Sequence, residues 1–522
     1  MNCFLYIHIT YHSSEYQLFS FLLLIITTPL FAQKNSSTQS TQLITNLQLI
    51  DGTGKPAYSA SVRIQGKKII QIGQLKANQN EKVIDGKGLV LAPGFIDSHS
   101  HHFGDLDDHP EAIPTNSQGI TTIIIGQDGG SYAMDTIAKM FKEHSMAVNV
   151  GNYTGQATLR EEVMGENDVY REATQAEIDK MKIILQKELD KGSLGLSTGL
   201  EYEQAFFSSK DEVIQLAKLA AAAKARYMSH IRSEDIRFQD AIDEIIEIGR
   251  VTKMPVQISH IKIAKKDDWE TSKALIAKLE KARAEGINIT ADIYPYTYWN
   301  STLRVLFPTR DYTNPESAEF AVNHTFDANE SYLVKYAPVE AYRGKTLAAI
   351  AAMRNEKASV TLMALIAIAS DFKEKNPDFK GTVEAIAAKS MIEKDIANLM
   401  AWPYANICSD GSASGHPRGH GAFTRVLGKY VREDKIISLE NAIHKMTGLT
   451  AKHLGITDRG IIAVGNYADL VLLNPATVKD NATIQNSTAL STGIEMVWIN
   501  GQLTYQNQKA TGNYPGVLIK RK

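Results

Sequence analysis

Cysteine is nearly absent from this chain: Cys3 and Cys408 are the two in 522 residues. A framework of internal disulfides is therefore excluded. An excess of basic charge is missing as well. Lys and Arg number 56 against 58 Asp and Glu, a formal net charge of −2. No overall positive field would hold nucleic acid, so no nucleic-acid partner is expected. Membrane-length apolar runs are lacking too. The run Leu18–Ile26 is too short to span a bilayer comfortably. What remains is ordinary for a globular chain, with 43% hydrophobic and 22% charged residues. A chain this long buries a sizeable core without covalent staples. At about 150 residues per domain it would hold three or four domains, unless an α/β barrel uses ~250 residues as one.

The N-terminus has the shape of an export leader. The apolar L-F-S-F-L-L-L-I-I is followed by T-T-P-L-F-A, with the small Ala32 before Gln33. Residues 1–33 contain no Lys or Arg, so the basic start of an ordinary signal is missing. A signal peptide over residues 1–32 is expected, with the protein exported to the periplasm or secreted. The alternatives are an uncleaved anchor and a cytosolic tail. Cleavage would leave Cys408 as the one cysteine of the mature chain.

Residues 34–41 read as a polar linker. Val62, Ile64, Ile70 and Ile72 alternate around Gly66-Lys67, a hairpin signal. Residues 33–92 thus form a small β unit. Short strands return after residue 460, so 461–522 is expected to complete the same β-sandwich. In between, residues 93–460 alternate apolar β-type runs with helices. Strands are predicted near 89–96, 121–126, 146–150, 194–200, 226–230, 256–260, 287–293 and 404–409. Thr174-x-x-Glu177 and Ser209-x-x-Glu212 open two of the helices. This is an α/β pattern, and eight strands favour a (β/α)8 TIM barrel over an open doubly wound sheet. An insertion over about residues 300–400 separates strands seven and eight, as a lid or as additional packing.

Histidines gather at the predicted strand ends. G-F-I-D-S-H-S-H-H supplies His99 and His101, and an extended H-x-H puts both rings on one face. His102 points the other way and reads as structural. Y-M-S-H supplies His230, and Q-I-S-H supplies His260. N-I-C-S-D-G supplies Asp410 at strand eight, which barrel closure sets beside strand one. Active sites of such barrels lie at the C-terminal strand ends. Four histidines and a carboxylate in one mouth suit Zn²⁺ and an activated water.

These segments, together with A-D-I-Y-P-Y and H-P-R-G-H-G-A-F-T-R, resemble the amidohydrolase superfamily. More narrowly they are similar to the N-acyl-D-amino-acid deacylases. The resemblance spans about residues 42–505. It implies a metal-dependent hydrolase that splits small N-acyl amino acids through a metal-activated water. It implies His99, His101, His230 and His260 as metal ligands, with one or two Zn²⁺ or other divalent ions. It implies Asp410 as a metal ligand and as the general base that then protonates the leaving amine. Lys262 would hold the substrate α-carboxylate, helped by Tyr294 or Tyr296 and by Arg418. Arg304 is a candidate reader of an acidic side chain. The alternatives are a cyclic-amide hydrolase of the dihydroorotase or hydantoinase kind, a dipeptidase, and a binding protein that kept the barrel.

One stretch departs from the family pattern. Where relatives carry G-N-C-G with a metal-binding cysteine, this chain reads G-Q-D-G. Asp128 takes that place, while Glu201 in G-L-S-T-G-L-E-Y offers a carboxylate at strand four. Glu201 is the favoured bridging ligand and Asp128 the alternative. Gly195-Leu-Ser197-Thr-Gly199 matches a nucleophile elbow, but no clear helix follows it, and metal explains the histidines better.

Overall fold

The structure is a computed structural model, and it describes residues 41–522. The leader expected over residues 1–32 lies outside the described residues. Among the described residues no helix is long and apolar enough to cross a membrane.

Eight parallel strands build the barrel. They are β1 (Phe95–Asp97), β2 (Ile120–Ile125), β3 (Asn149–Asn152) and β4 (Gly195–Gly199), then β5 (Arg226–His230), β6 (Val256–Ile258), β7 (Ile289–Ile293) and β8 (Ala405–Ile407). Every residue of β2 is buried, as expected for a parallel strand covered on both faces. The helices follow their sequence signals. Thr174 and Glu177 form a reciprocal capping box at the start of Gln175–Asp190. Ser209 caps Lys210–Ala222 by accepting from the Glu212 amide.

Strands β1 to β3 pair in order, and so do β4 to β8. Just past β3, Thr154–Gly155 pairs with β4 and joins the two runs. Closure falls at the top of the barrel. The Asp410 amide donates to the His99 carbonyl at 2.8 Å, and the His101 amide to Gly411 at 2.8 Å. The link that closes the barrel is thus made by candidate site residues.

Both chain ends meet in the β-sandwich. Among the described residues it is one nine-stranded sheet, with Val90–Pro93 antiparallel to Leu470–Leu473 at the seam. Ile44, Val62, Leu91, Leu470, Leu472 and Trp498 share one apolar core, so the sheet wraps on itself. The single strand predicted near 89–96 is two. Gly94 separates them, and a Cβ there would lie 2.3 Å from Thr121, so only glycine allows the turn into the barrel. The last residues also differ from expectation. Leu518–Ile519 leaves the β-sandwich and pairs with β3. Arg521 then donates to the carbonyls of Leu189, Ser193 and Ala223.

The insertion between β7 and β8 is a compact body of its own. Tyr298–Ser301, Tyr332–Tyr336 and Glu384–Lys389 form an antiparallel sheet. Leu347–Arg354 and Ala358–Lys375 pack against it around Phe307, Phe326, Leu333 and Ile386. Its wall also reaches the mouth of the barrel, through Trp299, Arg304 and Glu384.

Burial pushes the Glu384 carboxyl up to about 7, although the Leu303 amide donates to it at 2.8 Å. The folded protein therefore keeps a proton there that the unfolded chain has released. Stability present below the ordinary carboxyl range is lost as pH rises toward 7. Glu384→Gln keeps an acceptor and removes that loss. Thermal unfolding midpoints of the variant and the wild type should separate between about pH 5 and pH 7.5, with the variant higher.

Candidate active site and metal centre

The strand ends converge on a cavity of about 590 Å³. His99 and His101 come from the end of β1, Asp128 from the turn after β2, and Glu201 from just past β4. His230 ends β5, and His260 follows β6. Lys262 lies two residues on, and Asp410 follows β8. All line the cavity except His99, which is fully buried behind it.

Asp128 sits between the two histidine pairs. Its Oδ2 is 3.3 Å from His99 Nε2 and 3.5 Å from His101 Nε2. Its Oδ1 is 3.4 Å from His260 Nε2 and 3.9 Å from His230 Nδ1. Asp410 Oδ1 completes the first group, 3.5 Å from His99 Nε2 and 3.2 Å from His101 Nε2. Two clusters of donor atoms share Asp128, namely His99, His101, Asp128 and Asp410, then Asp128, His230 and His260; a third, Glu201, His230 and Glu234, lies on the far side of His230.

The favoured sequence reading put Glu201 in this central place, and the structure does not. Glu201 lies on the far side of His230, with Oε2 2.9 Å from Nε2. Its other oxygen accepts from the Glu234 amide at 3.3 Å. The residue stands past the end of β4, where strand alternation no longer sets the side-chain direction. Asp128 is held in place by the turn it occupies. It has a φ of 59°, between Gly126 and Gly129 at 81° and 80°. A Cβ on Gly199 would lie 2.0 Å from the Asp128 carbonyl, so β4 leaves just enough room for this turn.

Two further site residues have left-handed backbones, His260 at φ 36° and Asp410 at 49°. Such strain persists only where the surroundings fix it. Here Asp292 accepts from the His260 amide at 2.6 Å and from Gln257 at 2.7 Å. Asp97 accepts from the Ser409 amide at 2.8 Å and from the Ser409 hydroxyl at 2.5 Å.

The electrostatics are those of a charged, buried nest. Burial opposes charge on Asp128, yet His99, His101 and His260 hold it well below the ordinary carboxylate range. Burial also opposes charge on Asp410, which Arg418 and His99 hold low. Arg418 Nη1 is 2.6 Å from Asp410 Oδ2. His101 has a side chain 41% exposed, which opens the first cluster to solvent.

Not every candidate converges. The Arg418 guanidinium lies 4.7 Å over the Tyr294 ring, and the buried Tyr294 hydroxyl has no protein partner. Tyr296 faces away: its hydroxyl reaches Asp480 at 3.5 Å, and Arg425 lies over its ring. His102 is structural, bonded to Ser100 and to the Gly419 carbonyl. Ser197 is spent on the Gly126 carbonyl within β4, which removes the nucleophile elbow. Sequence reasoning missed Glu234 and Tyr202. Glu234 lies four residues past His230, in S-H-I-R-S-E, and its Oε1 is 2.5 Å from Lys262 Nζ. The Tyr202 ring packs 4.4 Å from that of His230.

The residues fit a divalent metal. Both ring nitrogens of His99 and Oδ1 of Asp128 are buried without a hydrogen-bond partner. Unpartnered buried polar atoms are costly, and metal coordination is a common reason for them.

Residues 82–405 and 344–505 match the amidohydrolase family profile. The chain belongs to the amidohydrolase family. It is 32% identical to N-acyl-D-aspartate deacylase of Alcaligenes xylosoxydans xylosoxydans, over 93% of this chain and 96% of that one. A D-aminoacylase solved for the role of its binuclear metal centre is 31% identical, with a TM-score of 0.80, over 92% and 99% of the two chains. N-acyl-D-glutamate deacylase of Bordetella bronchiseptica, solved with zinc and a phosphonate mimic of the tetrahedral intermediate, is 30% identical. Its TM-score is 0.81, over 92% and 100% of the chains. This amidohydrolase is therefore a hydrolase of carbon–nitrogen amide bonds on a TIM barrel, with residues grouped to hold a metal ion.

The central place of Asp128 has a direct consequence. Asp128→Asn keeps the size of the side chain and removes its charge from both clusters. Metal affinity, measured by chelator competition, should fall at least ~10-fold, with the circular dichroism spectrum unchanged.

Proposed function

We propose that this amidohydrolase removes the acyl group from N-acyl-D-amino acids, releasing a carboxylic acid and a D-amino acid. The observation that carries this reading is the joint placement of His101, His230, His260, Asp128 and Asp410, backed by His99, with Lys262 and Arg418 around one cavity. The relatives that match nearly end to end and act on N-acyl-D-aspartate and N-acyl-D-glutamate support it.

We assign His99, His101, His230 and His260 as metal ligands, with Asp410 and, in place of Glu201, the bridging Asp128. When bound, Zn²⁺ supplies a Lewis acid and lowers the pKa of a bound water to about 7. Asp410 is the general base. One of its oxygens faces the histidine pair, which places it to take the proton of the attacking water. The same carboxyl then returns the proton to the leaving nitrogen. Lys262 and Arg418 offer two cations for the substrate α-carboxylate, and the Tyr294 hydroxyl is free to donate beside them. Holding that end fixed orients the scissile bond. Arg304 lies on the insertion wall of the cavity and donates to Ser370 at 2.6 Å. Its charge supports acceptance of an acidic side chain. Tyr296 has no part in this arrangement.

The matched pairs N-acetyl-D- and N-acetyl-L-glutamate and -aspartate test the reaction, with hydantoin as a cyclic amide. Hydrolysis of the D-forms alone is expected, and Asp410→Asn should slow it on the order of 10³-fold. Cleavage of hydantoin but not of the N-acyl forms would overturn the reading.

We further propose that the enzyme is exported and works outside the cytoplasm. The apolar run at 18–26 and the small Ala32 support this. The buried Cys408, which needs no reducing surroundings, is compatible with it. N-terminal sequencing of the secreted or periplasmic fraction should read from Gln33, and an intact Met1 there would count against it.

A further inference from the structure

His260 must offer the Nε2 lone pair to a metal, because Nε2 is the nitrogen that faces Asp128. That requires the ring proton on Nδ1, and therefore an acceptor at Nδ1. Two groups compete for this atom. Lys262 Nζ lies 2.8 Å from it, and an ammonium can only donate. With Lys262 as the sole partner, Nδ1 would have to accept, the proton would move to Nε2, and the ligand would be lost. Glu234 Oε1 lies 3.2 Å from the same Nδ1 and 2.5 Å from Lys262 Nζ. One carboxylate oxygen thus accepts from both.

We propose that Glu234 is a positioning residue that sets the metal-binding tautomer of His260, by accepting its Nδ1–H and by drawing the Lys262 ammonium onto itself. It meets the His260 ring from the Nδ1 side, away from the nitrogen that faces Asp128. The inference rests on the reading of His260 as a metal ligand but not on the identity of the substrate. Glu201 stands in the same relation to His230. It is paired with Nε2 and leaves Nδ1 toward Asp128, but no lysine competes there. Glu234 alone therefore resolves a conflict between a metal ligand and a substrate-binding cation.

The conflict makes the test specific. Zn²⁺ affinity of the full chain is measured by chelator competition, with no substrate present. Glu234→Ala should bind Zn²⁺ about 10- to 100-fold more weakly. Lys262→Met alone should leave affinity near the wild-type value. Combined with Glu234→Ala, it should recover a clear part of the loss, because the competing donor has gone. A merely structural role for Glu234 gives additive losses and no recovery. Glu234→Gln keeps an acceptor in place and should stay within about tenfold of wild type, which carries the test if the alanine variant does not fold. Wild-type affinity in Glu234→Ala, an undiminished loss in the double variant, or a hundredfold loss in Glu234→Gln overturns the proposal. Failure of the substrate reading would show instead in the hydrolysis panel, with these affinities unchanged.

Discussion

A buried carboxylate shared by two pairs of imidazoles is the interaction on which this molecule turns. Taking one carboxylate out of water costs several kcal/mol unless positive charge meets it. Asp128 meets that condition with histidines from three strands, two on each side. No single helix or hairpin could bring those groups to one point. A closed barrel does so, because all its parallel strands end on the same face. The glycines at 126, 129 and 199 are local consequences of the same demand, since they let a turn carrying Asp128 lean over β4.

The floor beneath the ligands is equally constrained. Asp97 grips Ser409 across the closing seam, and Asp292 grips the His260 amide, Gln257 and Ser98. These buried carboxylates have protein donors in place of water. They fix the left-handed backbones of His260 and Asp410 against their steric cost. The barrel thus closes through the catalytic centre rather than beside it. Loosening the seam between β8 and β1 would separate Asp410 from His99 and His101, and the fold and the chemistry would fail together.

Much of this was legible in the chain. H-x-H at the end of an apolar strand, two more strand-end histidines and S-D-G after the last strand mark the mouth of the barrel. Their positions need only the strand period and the rule that the strand ends carry the site. The weaker readings concern residues beyond the strands. Glu201, Glu234 and Tyr296 lie where alternation has stopped, and rotamer and loop path decide where each side chain goes. Tyr294 and Tyr296 look equivalent in Y-P-Y, yet one stacks under Arg418 and the other turns to Asp480. Leu518–Ile519 is too short to carry a period, so its pairing with β3 left no signal in the sequence.

The place of Asp128 also explains why two more carboxylates stand close by. A thiolate binds Zn²⁺ partly through softness, and a carboxylate offers a harder bond. Cys408, the one cysteine among the described residues, is not available to the metal, because it is fully buried and donates to Asp292 at 3.3 Å. Charge is the other means of holding a cation. Glu201 behind His230 and Glu234 behind His260 make both rings better donors, as a hydrogen-bonded carboxylate does for a metal-binding imidazole. Without a metal, that much negative charge needs cations of its own, and Lys262 and Arg418 are held against Glu234 and Asp410. The two side chains assigned to the substrate carboxylate are therefore also the counter-ions that make a hard-donor metal centre affordable in the interior.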